Sequence, residues 1–157
     1  MLKNHLVDFS IIILIFLIDR ISKLLIISSP ETYEQYGINV TPFLNFNLIW
    51  NEGIAFGLFS FDQKIYYNLL TIFIFIIILI IFWLMIKSKG LEKFSFIMII
   101  GGSLGNIFDR IYYSAVPDFI DIYFDNFHWF IFNVADIFIS LGVIILISLE
   151  FFKKRYE

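Results

Sequence analysis

From Ile65 to Ile86 the chain runs without one charged side chain, through a stretch built mostly of Ile, Phe and Leu. A helix of that length reaches across the roughly 30 Å hydrocarbon core of a bilayer. Three further stretches have the same character: Val7 to Ile27, Phe94 to Tyr112 and Phe130 to Phe152. Hydrophobic residues make up 60% of the 157 and charged residues only 16%, against about half and about a quarter in a soluble domain. No soluble fold of this size has an interior able to hide so much Ile and Phe, so lipid must solvate much of the surface. The expected class is a mainly α membrane protein with four transmembrane helices, formed by residues 1–157 as a single integral membrane domain.

The first apolar stretch begins like a signal peptide, with Lys3 ahead of it, but it runs into Asp19, Arg20 and Lys23 and shows no small-residue cleavage site before Pro30. It reads as a retained helix that Pro30 ends. Basic residues set the orientation. Lys3 precedes span one, Lys87, Lys89 and Lys93 separate spans two and three, and Lys153, Lys154 and Arg155 follow span four. The connections from Ser28 to Lys64 and from Tyr113 to Trp129 hold only Lys64 among several acids. Both termini are therefore expected in the cytoplasm and both of those connections outside. The first connection, about residues 31–62, contains "INVTPFLNFNLIW", whose β-branched and aromatic residues partly alternate. It predicts a small extracytoplasmic β-sheet between helices 1 and 2.

Ionisable residues within spans are expensive and usually functional, and here they share one depth. Asp19 and Lys23 lie four apart in the outer half of span one, on one helix face. Asn106, Asp109 and Arg110 close span three at its outer end. Asn133 and Asp136 open span four there, and Asp118 lies on the connection between them. Each has an ordinary structural reading. Asp19 and Lys23 could be an ion pair, Arg110 could snorkel to lipid phosphates, and the asparagines could be interhelical hydrogen-bond partners. Asp121 and Asp125 read as solvated loop charges, His128 as interfacial, and "GGSLG" at Gly101 to Gly105 as close helix packing. Convergence from four separate segments favours a site.

Elimination narrows the chemistry. The chain has no cysteine and two histidines, His5 and His128, expected on opposite sides of the membrane. That excludes disulfides, a thiolate nucleophile, an HExxH zinc site and a Ser-His-Asp triad. A Ser–Lys hydrolase would need Ser22 or Ser103 with Lys23; the first is a helix neighbour pointing away, the second lies deeper, in the packing motif. Carboxylates remain. If the outer connection folds back, Asp118 and Asp136 meet, and two close carboxyls share one proton. One then activates water while the other protonates the carbonyl oxygen or leaving amine, with no metal or cofactor.

These motifs resemble those of bacterial lipoprotein signal peptidase, or signal peptidase II, over nearly the whole chain. "DRISK" is similar to the family's D-x-x-x-K element, with Asp19 and Lys23; Arg20 and Ser22 replace its usual Gln and Thr, so Arg20 is left out of the site. "NEGIAFG" resembles N-x-G-x-A-F-G, with Asn51 and Gly53, and "GNIFDR" resembles G-N-x-x-D-R, with Asn106, Asp109 and Arg110. "VPDFID" carries Asp118 at the first catalytic aspartate's place, and "FNVADIFIS" carries Asp136 at the second, with Asn133 beside it. The resemblance implies an aspartic endopeptidase of the inner membrane. Its substrate would be a diacylglyceryl-modified prolipoprotein, cut just before the lipidated cysteine to free the signal peptide. On this reading Arg110 and the asparagines orient the substrate, Asp109 braces Arg110 or Lys23, and "NEGIAFG" closes over the site.

Membrane lipid is the expected surroundings and a monomer the expected working form. The near-neutral net charge of −3 argues against nucleic acid as a partner. The alternatives are a small ion- or proton-coupled transporter and a non-enzymatic membrane assembly factor. A transporter should place charges through the full bilayer depth, commonly with inverted repeats. The chain shows neither.

Overall fold

The computed structural model describes residues 2–33, 37–53, 64–125 and 127–153. Ile54 to Gly57 of "NEGIAFG", and Lys154 and Arg155, lie outside the described residues. The elements run α1 (Leu2–Ile27), β1 (Ile38–Thr41), β2 (Leu44–Asn51), α2 (Lys64–Lys87), α3 (Gly90–Tyr113), β3 (Val116–Phe124), β4 (Phe127–Phe132) and α4 (Val134–Lys153). Among the described residues, three helices are long and apolar enough to cross a membrane: Tyr67–Lys87, Gly90–Tyr113 and Val134–Phe152. The fourth, α1, spans 26 residues and differs in carrying Asp8, Asp19, Arg20 and Lys23. Those four are buried within the protein.

The centre of the bundle is α3, which packs against α1, α2 and α4. It buries most of its length, whereas α2 and α4 leave most of theirs exposed. Between Leu69 and Ile86 the exposed residues of α2, including Leu69, Ile72, Phe73, Ile76 and Ile80, are apolar, as lipid-facing positions must be where water is excluded. Small residues on α3 make its central place possible. A Cβ on Gly101 would come within 2.8 Å of Ile15 in α1, and one on Gly102 within 2.5 Å of the Ala135 carbonyl oxygen in α4. A Cβ on Gly105 would overlap the Asp19 carboxyl. The packing role read from "GGSLG" is thus what the structure contains. At the end of the bundle away from the sheet Lys93 pairs with Asp8, tying α3 to α1, and the Lys87 ammonium sits 3.5 Å over the Trp83 ring.

The expected sheet forms, but only half of it comes from between α1 and α2. It is antiparallel with order β1-β2-β3-β4. The second hairpin comes from the connection between α3 and α4 and includes Phe130 to Phe132, which the sequence assigned to span four. A run of aromatic and β-branched residues reads equally as buried helix or strand, and helix α4 starts at Val134 because Asn133 caps it. The hairpin turns at Asp125, which takes a left-handed φ of 54° and is exposed. Asp121 is a correction. Rather than being a solvated loop charge it is 2% exposed, and its carboxylate lies 2.9 Å from Nδ1 of His128 on the neighbouring strand.

Phe119, Ile26 and Leu48 form a buried apolar cluster that fastens β3 to the ends of α1 and α4. Asp118 is therefore held beside the helix ends that meet the sheet. Pro30, opening a short 3-10 turn, ends α1 beneath the sheet. Gly102→Ala is expected to lower stability by about 1–3 kcal/mol, because the added methyl meets backbone rather than a movable side chain. Thermal unfolding of the purified protein in detergent checks this; an unchanged Tm would mean that α3 and α4 have room to part.

Candidate active site

Lys23 lies in α1 with no solvent exposure at all. Its ammonium reaches Asp19 Oδ2 at 2.8 Å, Asp109 Oδ2 at 2.7 Å and Asn106 Oδ1 at 2.8 Å. It donates hydrogen bonds to Asp109 and Asn106 and forms an ion pair with Asp19. Arg20, set aside on sequence, belongs to the same cluster. It pairs with Asp109 Oδ1 and places its guanidinium 4.8 Å from the centre of the Phe108 ring. Asp109 therefore braces Lys23, as expected, and Arg20 rather than Arg110. Two carboxylates and two cations leave the cluster neutral, the condition under which buried ions are tolerable.

The cluster bears directly on the start of α4. Asp19 Oδ1 accepts the Ala135 N–H at 2.9 Å, satisfying an amide that no helical carbonyl can reach. Asn133 is the N-cap, and its Oδ1 accepts the Asp136 N–H at 3.1 Å. In return Asp136 Oδ2 accepts the Asn133 N–H at 3.1 Å. This is a reciprocal capping box with Asn and Asp in place of the commoner Ser and Glu. The Asp136 carboxylate thus stands at the positive end of the helix, and its other oxygen accepts Asn106 Nδ2–H at 2.8 Å. Neutral Asn106 thus links Lys23 to Asp136.

Asp118 arrives from β3 on the other side. Its Oδ1 accepts from Asn133 Nδ2 at 2.6 Å and its Oδ2 from Asn51 Nδ2 at 2.9 Å. Asn133 thus holds both aspartates, one through its side-chain amide and the other through its backbone. Asn51, at the end of β2, also accepts the Gly53 N–H at 2.9 Å through Oδ1. The Gly53 carbonyl accepts from Arg110 Nη2 at 2.5 Å. Arg110 is therefore engaged by protein backbone and is 7% exposed, which removes the lipid-snorkelling alternative. All ten candidate residues, Asp19, Lys23, Asn51, Gly53, Asn106, Asp109, Arg110, Asp118, Asn133 and Asp136, fall in this one network.

Asp118 is 4% exposed. Burial first, and then the neighbouring Asp136 carboxyl, push its pKa from 3.8 up to about 7, against the opposing pull of Asn51, Asn133 and Lys23. Both aspartates border a cavity of about 460 Å³ whose further wall includes Ile74 of α2, Ile139, Val143 and Ile144. Two carboxyls that border one largely apolar cavity and are held by the same asparagine are placed as a pair that shares a proton and activates water against a carbonyl group would be.

Comparison with known proteins adds independent information. The family model described as signal peptidase (SPase) II matches residues 11–152. The chain is 51% identical to the lipoprotein signal peptidase of Pelagibacter ubique (strain HTCC1062), covering 99% of this chain and 96% of that protein. It is 37% identical to the lipoprotein signal peptidase of Francisella tularensis subsp. novicida (strain U112), covering 99% and 98%. Among solved structures, it resembles a bacterial membrane enzyme determined by the in meso method at 2.3 Å resolution. The TM-score is 0.76 at 26% identity, over 96% of this chain and 91% of that one.

Two outcomes test the site physics. Lys23→Ala leaves Asp19 and Asp109 facing Arg20 alone, and is expected to destabilise by about 3–5 kcal/mol; a Tm within a degree or so of the parent would contradict the cluster's role. For Asp118 the sign follows from the raised pKa. The folded state keeps a proton that the unfolded chain has released, so stability falls as pH rises from 3.8 to about 7. Asp118→Asn is expected to match the parent's Tm at the acid end of that window and exceed it above the upper end. Parallel Tm curves for the two proteins across that range would show that Asp118 titrates normally.

Proposed function

The chain belongs to the signal peptidase II family, and on that premise we propose which of its residues carry out the reaction and how. The family's activity is this chain's: an aspartic endopeptidase of a bacterial membrane, crossing it several times, that removes signal peptides from prolipoproteins. Asp118 and Asp136 are the catalytic pair. The observation that carries this assignment is Asn133, which bonds both carboxyls and fixes them against one another at the mouth of one cavity.

Asp118 is assigned the shared proton because Asp136 stands at the start of α4, where the helix dipole and the Asn133 N–H favour its ionised form. Asp136, at the amide-rich start of α4, acts as general base. It takes a proton from water as the water oxygen attacks the carbonyl carbon of the scissile peptide. Asp118 gives its proton to the carbonyl oxygen, and the tetrahedral intermediate forms. On collapse the proton acquired by Asp136 passes to the leaving nitrogen, the C–N bond breaks, and the product carboxyl returns a proton to the pair. Asn51, Asn106 and Asn133 keep the carboxyl planes in position throughout. Lys23, Asp19, Asp109 and Arg20 hold α1, α3 and α4 in register behind them, and Arg110 anchors Gly53 over the cleft.

The finer substrate is a diacylglyceryl-modified prolipoprotein cut just before the lipidated cysteine. The cleft supports this, since it combines a polar mouth at the helix ends with aliphatic walls between the helices. The orientation in keeping with Lys87, Lys89 and Lys93 at the opposite end has both termini in the cytoplasm and the site near the outer face. A single chain holds every group the mechanism uses, which supports a monomer as the working form.

Purified protein with a diacylated prolipoprotein tests the dyad. Asp118→Asn and Asp136→Asn are each expected to lose at least about a hundredfold in kcat/KM while remaining folded by thermal unfolding. Near-parental cleavage by either would remove that residue from the pair. The same substrate without its diacylglyceryl group is expected to be cleaved much more slowly.

A further inference from the structure

Two serines on the cavity wall have no part in the mechanism above. Ser103 stands three residues before Asn106 on α3, and Ser140 four after Asp136 on α4, so each shares a helix face with a group of the site. Both line the cavity. Ser103 sits next to Gly102, whose backbone is in contact with Ala135 and Ile139. That places both hydroxyls about one helical turn inward of the dyad, roughly 5 Å along the bundle axis.

Their hydroxyls also behave differently from those elsewhere in the helices. Ser10, Ser95 and Ser148 each donate to the carbonyl four residues back, at 2.9, 2.8 and 2.8 Å, and Ser22 donates to Asp19 three residues back at 2.7 Å. A hydroxyl in an apolar setting normally settles its hydrogen bond in this way. Ser103 and Ser140 have no hydrogen-bond partner among the described residues and turn to the cavity instead.

A peptide bond must be extended to be attacked. The residues just before it, leading back into the membrane-embedded signal helix, then have backbone N–H and C=O groups unpaired within an apolar cleft. Such groups carry a free-energy cost unless the protein meets them. An extended chain rises about 3.3 Å per residue, so a point roughly 5 Å inward falls between the first and second residues before the cut. Acyl chains have no use for hydroxyls, and peptide backbone does. We propose that Ser103 and Ser140 hydrogen-bond the backbone of the unwound signal-peptide residues immediately before the scissile bond. They are positioning residues that hold the substrate extended, while Ile139, Val143 and Ile144 enclose its side chains. This rests on the assignment of Asp118 and Asp136 as the pair that defines where the bond lies.

The test uses the purified enzyme, a diacylated lipopeptide, and the same lipopeptide with an ester replacing the amide between the first and second residues before the cut. The ester lacks the N–H and has a weaker carbonyl acceptor. S103A/S140A is expected to keep the parent's Tm and lose about 10- to 100-fold in kcat/KM on the amide substrate, from two neutral hydrogen bonds. S103T/S140T, which keeps the hydroxyls, should recover most of it. The ester should slow the parent several-fold and the double alanine variant little, because the interaction is already gone. Parental kcat/KM in S103A/S140A, or an equal ester penalty in both enzymes, overturns the proposal. If the parent cleaves and the two Asp→Asn variants do not, that failure belongs to the serines alone. If the Asp→Asn variants also cleave normally, the dyad assignment falls and this proposal with it.

Discussion

The buried Lys23 ammonium is the contact on which the rest of the site depends. An ion with no exposure is stable only if its neighbours neutralise and hydrogen-bond it; Asp19 and Asp109 supply the charge, and Asp109 and Asn106 accept its hydrogen bonds. Those three partners come from α1 and α3, so the two helices have one relative height at which the lysine is satisfied. Asp19 then carries the constraint onward, since its second oxygen caps the Ala135 amide of α4. Three helices are thereby set in register by one network. Gly101, Gly102 and Gly105 let the backbones approach closely enough for it to form.

The start of α4 is where the structural and chemical needs meet. Helix ends leave amides without partners, which inside a bilayer protein is a serious cost. Here Asn133, Asp136 and Asp19 supply the missing acceptors. The carboxylate that looks out of place in "FNVADIFIS" is therefore a capping group of its own helix. The proposed general base is held by interactions the helix would need in any case, and among the described residues no cation touches Asp136. Asp118 reaches the same asparagine from a strand whose position is set by Phe119 against Ile26 and Leu48.

Much of this was legible in the sequence, for identifiable reasons. Helical spacing placed Asp19 with Lys23, and Asn106 with Arg110, because those pairs lie within one or two turns of a single element. The spans were legible because a bilayer demands long apolar runs. The second hairpin was not, because "FHWFIF" has no polar alternation to separate a strand from a helix, and only its pairing with β3 decides the matter. Asp121 was misread for the same reason: its partner His128 is across a turn that the sequence alone did not reveal. Arg20 was set aside because its partner Asp109 lies 89 residues away. The charge sum is a clue visible in retrospect, as Asp19, Lys23 and Asp109 alone would leave a buried net charge of −1.

The choice of asparagine at every direct contact with the two aspartates also has a physical basis. A lysine or arginine bonded to Asp118 would favour its ionised form and pull its proton off well below neutral pH. Amide donors orient a carboxyl without imposing a full charge on it. Asn51 and Asn133 are the groups that touch Asp118, and its pKa remains near 7. On the Asp136 side, Asn106 stands between the aspartate and Lys23, accepting from the ammonium and donating to the carboxyl. The cation fixes the position of Asn106 while contact with the aspartate is left to a neutral amide. On the proposed mechanism the pair both gives and receives a proton within one cycle, which needs donors that hold it in place under either charge, and amides meet that need where cations do not.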